Sequence, residues 1–135
     1  MCADAFLYTN VLAYAFDDRS PTKRDIARDL LSHATFATSA QVLGELYVTL
    51  TRKLATPVPP DVARQVIGEL QVLPVVATST SLVAGGIDTS IRFQISYWDA
   101  LIIEAAVASG CSTLLSEDLN DGEVIKGVRI INPFR

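Results

Sequence analysis

The chain is most constrained by a rhythm in its apolar residues: short runs, three to four residues long, each handing over to a stretch with helical spacing. Residues 5–7, 35–38, 75–77, 113–115 and 128–131 read as strands. Between them, apolar positions recurring every three to four residues predict helices starting near residue 11 and spanning 21–32, 39–54, 62–70, 81–92 and 97–110. Short strands alternating with helices predict a three-layer α/β/α sandwich around a central, mainly parallel sheet. Thr9 or Asn10 can cap the first helix, Pro21 opens the second, and Ser39, Thr78 or Thr80, and Ser96 cap later ones. The last helix closes at Gly110. In it Trp98, Leu101, Ile102, Ile103, Ala105, Ala106 and Val107 leave an apolar surface almost all round, so it is expected to be deeply buried. Gly85-Gly86 weakens the helix before it by about 1 kcal/mol per glycine relative to alanine. Three prolines in residues 55–60 make a connection, residues 116–127 a polar loop, and residues 1–135 a single expected domain.

Half of the residues are apolar, enough for a substantial core, yet no apolar run reaches the ~20 residues of a membrane-spanning helix. Residues 1–4 lack the positive flank of a signal peptide, and Cys2 and Cys111 are too few for a disulfide framework. A cytoplasmic protein with no membrane partner is expected, its two thiols filling small apolar spaces. The net charge of −4 argues against coating nucleic acid by bulk electrostatics. It does not argue against an enzyme that meets phosphate through cations held by carboxylates. Lys23, Arg24, Arg28, Arg52 and Lys53 form either a local basic rim or solvated helix faces. The sole histidine, His33, fits a structural place at a helix end, and its solitude argues against a His-rich zinc site.

Three acids fall where such a fold can bring them together: Glu45 on the third helix, Asp99 in the first turn of the buried helix, and Asp118 just after a strand. Asp121 is close behind. Converging carboxylates repel unless a cation sits among them, and oxygen ligands without Cys or His point to Mg²⁺ or Mn²⁺. Each acid also has a plainer reading. Asp99 suits the third position of a capping box begun by Ser96, Glu45 a solvated stripe edge, and Asp118 and Asp121-Gly122 a turn. Glu45 has no Lys or Arg three or four positions away to pair with.

The phrases FLYTNVLAYAF, SAQVLGEL, SYWDALIIEAA, TLLSEDLNDG and INPF resemble, in order and over essentially the whole chain, successive signatures of PIN-domain nucleases. The likeness is to the VapC toxins of bacterial VapBC toxin–antitoxin pairs in particular. The resemblance implies a PIN-like fold, a Mg²⁺- or Mn²⁺-dependent ribonuclease acting on an RNA substrate, a homodimer and a cognate antitoxin. Glu45, Asp99 and Asp118 match its acidic ligands, Asn10 and Ser116 its supporting polar residues, and Asp121 an accessory acid. The departure is Tyr8, at the strand end where the family carries Asp. A phenol with a reference pKa of about 10 is neutral at pH 7 and a poor ligand for a hard cation. Weak metal binding and poor cleavage are therefore expected of this chain. The alternative is a catalytically inactive PIN-fold module that binds RNA or an antitoxin. An unrelated receiver-type domain is disfavoured, because Tyr8 and the strand ending at Leu115 do not supply its Asp and Lys pair.

Overall fold

Strand β1 (Ala5–Leu7) is buried at all three positions and lies between two parallel neighbours, β2 (Phe36–Ser39) and β4 (Thr113–Leu115). The computed structural model describes residues 3–135. Phe6 is opposite Ala37 on one side and Leu114 on the other. The sheet continues through β3 (Val75–Val76) beside β2, and through β6 (Val128–Ile131) and β5 (Val124–Ile125) beside β4. Its order is β3-β2-β1-β4-β6-β5, and every pairing is parallel except the β5–β6 hairpin.

The helices are α1 (Thr9–Tyr14), α2 (Pro21–His33), α3 (Ala40–Val48), α4 (Pro60–Leu70), α5 (Thr80–Phe93) and α6 (Tyr97–Ala108). The chain moves one way along the sheet from β1 to β3 and returns from β3 to β4. With the right-handed crossovers usual for parallel strands, this order puts α1–α4 on one face and α5 with α6 on the other, in accord with the helix contacts. This is the three-layer α/β arrangement the apolar rhythm predicts. Burial on both faces explains why β1 and β2 read as unbroken apolar or small runs, whereas β6 near the edge alternates buried with exposed.

Four local expectations give way to the structure. Tyr8 rather than Thr9 or Asn10 occupies the N-cap of α1, with no side-chain cap: the Thr9 hydroxyl donates to Glu45 and Asn10 Oδ1 accepts from the Glu117 amide. Ser79, rather than Thr78 or Thr80, caps α5 by accepting from the Leu82 amide. The long third helix ends its α geometry at Val48 and widens into a π turn over Thr49–Lys53. There the Thr51 hydroxyl donates to the Tyr47 carbonyl at 2.9 Å, a back-bond that competes with the helical ladder. The loop over residues 116–127 hides β5, closed by a tight turn with Lys126 and Gly127 both at positive φ. Lys126 is an uncommon residue for that turn, so the hairpin has no Asn-Gly or Asp-Gly signal. Ser39, Pro21, Ser96 and Gly110 do what was expected of them. Cys111 is buried in the core, while Cys2 lies outside the described residues.

Helix α6 is buried from Ala100 to Ala106 except at Glu104, and α5 packs closely against it. A Cβ on Gly86 would stand 3.2 Å from the Leu101 side chain, 3.3 Å from Tyr97 and 3.4 Å from the Leu101 backbone. The glycine that weakens α5 locally is thus what lets the two helices meet. Gly68 on α4 has open space at the same atom. Gly68→Ala is expected to raise stability by about 1 kcal/mol through helix propensity alone. Gly86→Ala gains the same propensity but overpacks the helix pair, and is expected to lower stability by about 1 kcal/mol net. Urea midpoints of the two variants against the parent chain check both signs.

Candidate functional site

At the junction between β1 and β4 the chain departs in opposite directions along the sheet, and the carboxyl ends of both strands open into one cleft of about 820 Å³. Tyr8, directly after β1, donates its amide to the Leu115 carbonyl at 3.1 Å and so extends the pairing into the cleft floor. Its hydroxyl donates to Asp99 Oδ1 at 3.2 Å. Burial pushes the Tyr8 phenol well above its usual range, and the charges of Asp99, Glu45 and Asp118 add to that push. All three sequence-predicted acids therefore bear on one phenol.

Asp99 is in the first turn of α6, where Ser96 Oγ accepts from its amide at 3.1 Å. Only half of a capping box is formed. The carboxylate turns to Tyr8 instead. Glu45 is half-buried rather than a solvated edge. Its Oε2 accepts from the Thr9 hydroxyl at 2.8 Å and its Oε1 from Gln41 Nε2 at 3.0 Å. Asp118 lines the cleft and is exposed, on a turn in which Ser116 Oγ accepts its amide at 3.2 Å. Ser116 is fully buried, and Asn10 Oδ1 accepts the neighbouring Glu117 amide at 3.4 Å. Asn10 and Ser116 thus hold the segment after β4 in place. Asp121 stands apart from the others: its carboxylate accepts the Asn132 amide at 2.8 Å, faces Arg135 at 3.8 Å and does not line the cleft.

A divalent cation does not fit this arrangement. Among the described residues no three His, Cys, Asp or Glu side chains gather closely enough to hold a metal. A neutral phenol occupies one oxygen of Asp99, and both oxygens of Glu45 already accept hydrogen bonds. Asp99 and Glu45 are quieted by donors instead. Two buried polar atoms on the same wall, Asn10 Nδ2 and Gln41 Oε1, lack partners among the described residues, so this wall is not fully satisfied as it stands.

Several cleft residues escape a reading of the sequence alone. Gln41, one turn from Glu45, is visible in the spacing as a helical neighbour. Glu117 is not: it accepts from Tyr14 Oη at 2.8 Å and pairs with Lys23 Nζ at 2.6 Å, across 94 residues of chain. Lys23 also stacks over the Tyr14 ring at 4.9 Å. Of the five cations considered for a basic rim, only Lys53 lines the cleft, joined by Arg19, which pairs with Asp17 at 3.1 Å. Arg24 binds Asp18 and Asp25, and Arg28 donates to the Ala15 carbonyl. His33 is exposed and pairs with Asp29 on its own helix.

The sequence profile of the PIN domain matches residues 5–122. No curated protein matches. Among solved structures, the fold is similar to a toxin–antitoxin complex from Klebsiella pneumoniae, with a TM-score of 0.69 and 16% identity over 96% of this chain and 97% of that one. It is also similar to Mycobacterium tuberculosis VapC20, a toxin that cleaves the sarcin–ricin loop, with a TM-score of 0.63 and 19% identity over 84% and 89%. A third likeness is to VapBC2 from Rickettsia felis, bound to a DNA fragment from its promoter, with a TM-score of 0.63 and 20% identity over 93% and 96%.

The Glu117 pair gives a pH signature. Burial alone would raise this carboxyl, but hydrogen bonds from Lys23 and Tyr14 outweigh it and hold it below the usual glutamate range. A lowered carboxyl contributes stability that is present above its unfolded pKa and lost as pH falls through its folded one. Glu117→Gln is therefore expected to cost about 0.5–1 kcal/mol at pH 7 and progressively less below about pH 4. Denaturant unfolding of both chains at neutral and acidic pH reads the convergence.

Proposed function

We propose, because this chain belongs to the PIN domain family, that it is the nuclease of a type II toxin–antitoxin pair whose cation site is blocked by Tyr8. PIN domains are generally nucleases, hydrolases of nucleic-acid phosphodiesters that use divalent ions. The observation that carries the reading is geometric: Glu45 and Asp118 line the cleft at the carboxyl ends of β1 and β4, and Asp99 accepts from the phenol that follows β1 into it. We assign those three acids as the ligands of Mg²⁺ or Mn²⁺ in the ribonuclease site, with Asn10 and Ser116 as supports. Asp121, turned toward the C-terminal segment, is an accessory acid at most.

With Tyr8 in place Asp99 and Glu45 hold hydrogen bonds, and the hydroxyl bound to Asp99 favours a second reading of the chain as it stands. In that reading it is a catalytically inactive module that binds RNA or an antitoxin. The acidic cleft suits an antitoxin segment that inserts Arg or Lys, and the similar toxin–antitoxin assemblies support such a partner. A homodimer is part of the same proposal, as is a single domain over the whole chain. No helix among the described residues is long and apolar enough to cross a membrane, which accords with a cytoplasmic site of action.

Tyr8→Asp removes the phenol and adds a fourth carboxylate to the cluster. Titration calorimetry with Mn²⁺ is expected to show tight binding to the variant and little heat with the parent chain. RNA cleavage is expected to rise by at least about 100-fold, the scale on which removal of one key electrostatic group acts in enzymes. Full Mg²⁺-dependent cleavage by the unaltered chain would sink the proposal that Tyr8 blocks the site.

A further inference from the structure

Strands β4 and β6 are parallel, so the chain leaving β6 emerges at the same edge of the sheet as the chain leaving β4. The Ser116 amide donates to the Ile131 carbonyl at 3.1 Å and closes that pairing at its end. Residues 132–135 then come beside the loop that carries Asp118. Asn132 makes a local turn, its Oδ1 accepting the Phe134 amide at 2.9 Å, with Pro133 fixing the backbone between them. On one side of this turn the Asn132 amide donates to Asp121 Oδ1 at 2.8 Å, and Arg135 stands 3.8 Å from Asp121 Oδ2. On the other, the half-buried Phe134 ring meets Tyr14 edge-on, with centroids 4.9 Å apart and planes at 69°. Lys23 Nζ lies 5.7 Å from the centre of the same ring.

Tyr14 and Lys23 are the two side chains that hold Glu117, at 2.8 and 2.6 Å. Phe134 braces both of those donors, and through them the residue before Asp118. Asp121, three residues after it, is tied to the same turn. Asp118 itself is exposed, and its carboxylate accepts no hydrogen bond among the described residues, so its place depends on how its flanks are held. We propose that Phe134 is a positioning residue: with Asn132 it clasps the loop over residues 117–121 from both sides and so fixes the Asp118 carboxylate at the cleft. Asp121 serves in this clasp as a tether for the Asn132 amide. What Asp118 does once placed rests on the ribonuclease reading; the clasp does not.

Hydrogen–deuterium exchange reads the clasp in the unaltered chain. Phe134→Ala is expected to speed exchange of peptides spanning residues 116–122 about 10-fold or more, while peptides from β1 and α6 keep the parent's protection. Phe134→Tyr, which retains the ring, is expected to exchange like the parent. Asp121→Ala is expected to loosen the same peptides, and Asp121→Asn, which keeps an acceptor for the Asn132 amide, is not; this pair tests the tether without touching the core. The consequence for the cleft is read in the Tyr8→Asp background. There Phe134→Ala is expected to lower kcat for RNA cleavage about 10-fold with KM little changed, and Phe134→Tyr to restore it. Unchanged exchange at residues 116–122 in Phe134→Ala overturns the clasp. A rise spread evenly over β1, α6 and the loop overturns it too, since loss of packing alone gives that result. Faster loop exchange with kcat unchanged, in a Tyr8→Asp chain that cleaves, overturns the positioning role. If Tyr8→Asp cleaves no RNA, the nuclease reading fails, and exchange alone decides the clasp.

Discussion

Parallel pairing of β1 with both of its neighbours is the constraint on which this molecule depends. Because β2 and β4 run in the same direction as β1, all three strands end at one edge of the sheet, and the residues just beyond each strand are presented side by side. The amide of Tyr8 reaching the Leu115 carbonyl is the last rung of that ladder. Beyond it lie Tyr8 and Thr9 from one strand and Ser116, Glu117 and Asp118 from the other. The Thr38 hydroxyl, donating to the Leu7 carbonyl at 3.2 Å, locks the third strand end into the same frame. In an open sheet whose order reverses at this point, no helix covers the gap, so polar side chains gather there while the flanks stay apolar.

Gathering carboxylates in a partly desolvated cleft raises their mutual repulsion, and the fold must relieve it. A bound cation would be one means. In this chain the relief comes from proton donors: Tyr8 to Asp99, Thr9 and Gln41 to Glu45, Tyr14 and Lys23 to Glu117. The phenol is suited to that task because its proton is held more firmly the more negative its surroundings become. The same property makes it unsuitable as a ligand for Mg²⁺ or Mn²⁺, which demands a charged oxygen. One side chain thus both satisfies Asp99 and takes the strand-end place beside it.

The other wall of the cleft is set from the far face of the sheet. Helix α6 is wedged between the strands and α5, and the absence of a side chain at Gly86 brings α5 within contact of Leu101 and Tyr97. Glu104 ties the same region to the hairpin turn through Thr89 and Lys126. A helix fixed along its length presents its first turn without freedom, and that turn carries Trp98 and Asp99. Asp99 is placed where the helix dipole favours an anion, with Ser96 already satisfying the backbone. The position of one acid therefore depends on packing between α5 and α6 that lies away from the cleft.

The order of strands and helices, the parallel sheet, the buried last helix and the caps at Ser39 and Ser96 are legible in the sequence, because they arise from local spacing and from backbone groups that neighbouring side chains satisfy. The acids are legible only as candidates: Glu45 departs from the pattern of its helix by lacking a partner, whereas Asp99 also suits a cap and Asp118 a turn. What no local pattern carries is the set of partners. That Asp99 serves the cleft rather than a capping box, that Asp121 turns away, that Glu117 belongs with Lys23, and that Val124–Ile125 makes a strand all depend on pairings across the fold. Those pairings are decided only when the strands dock, since the energy of a hydrogen bond between residues 36, 91 or 94 positions apart exists nowhere in the extended chain.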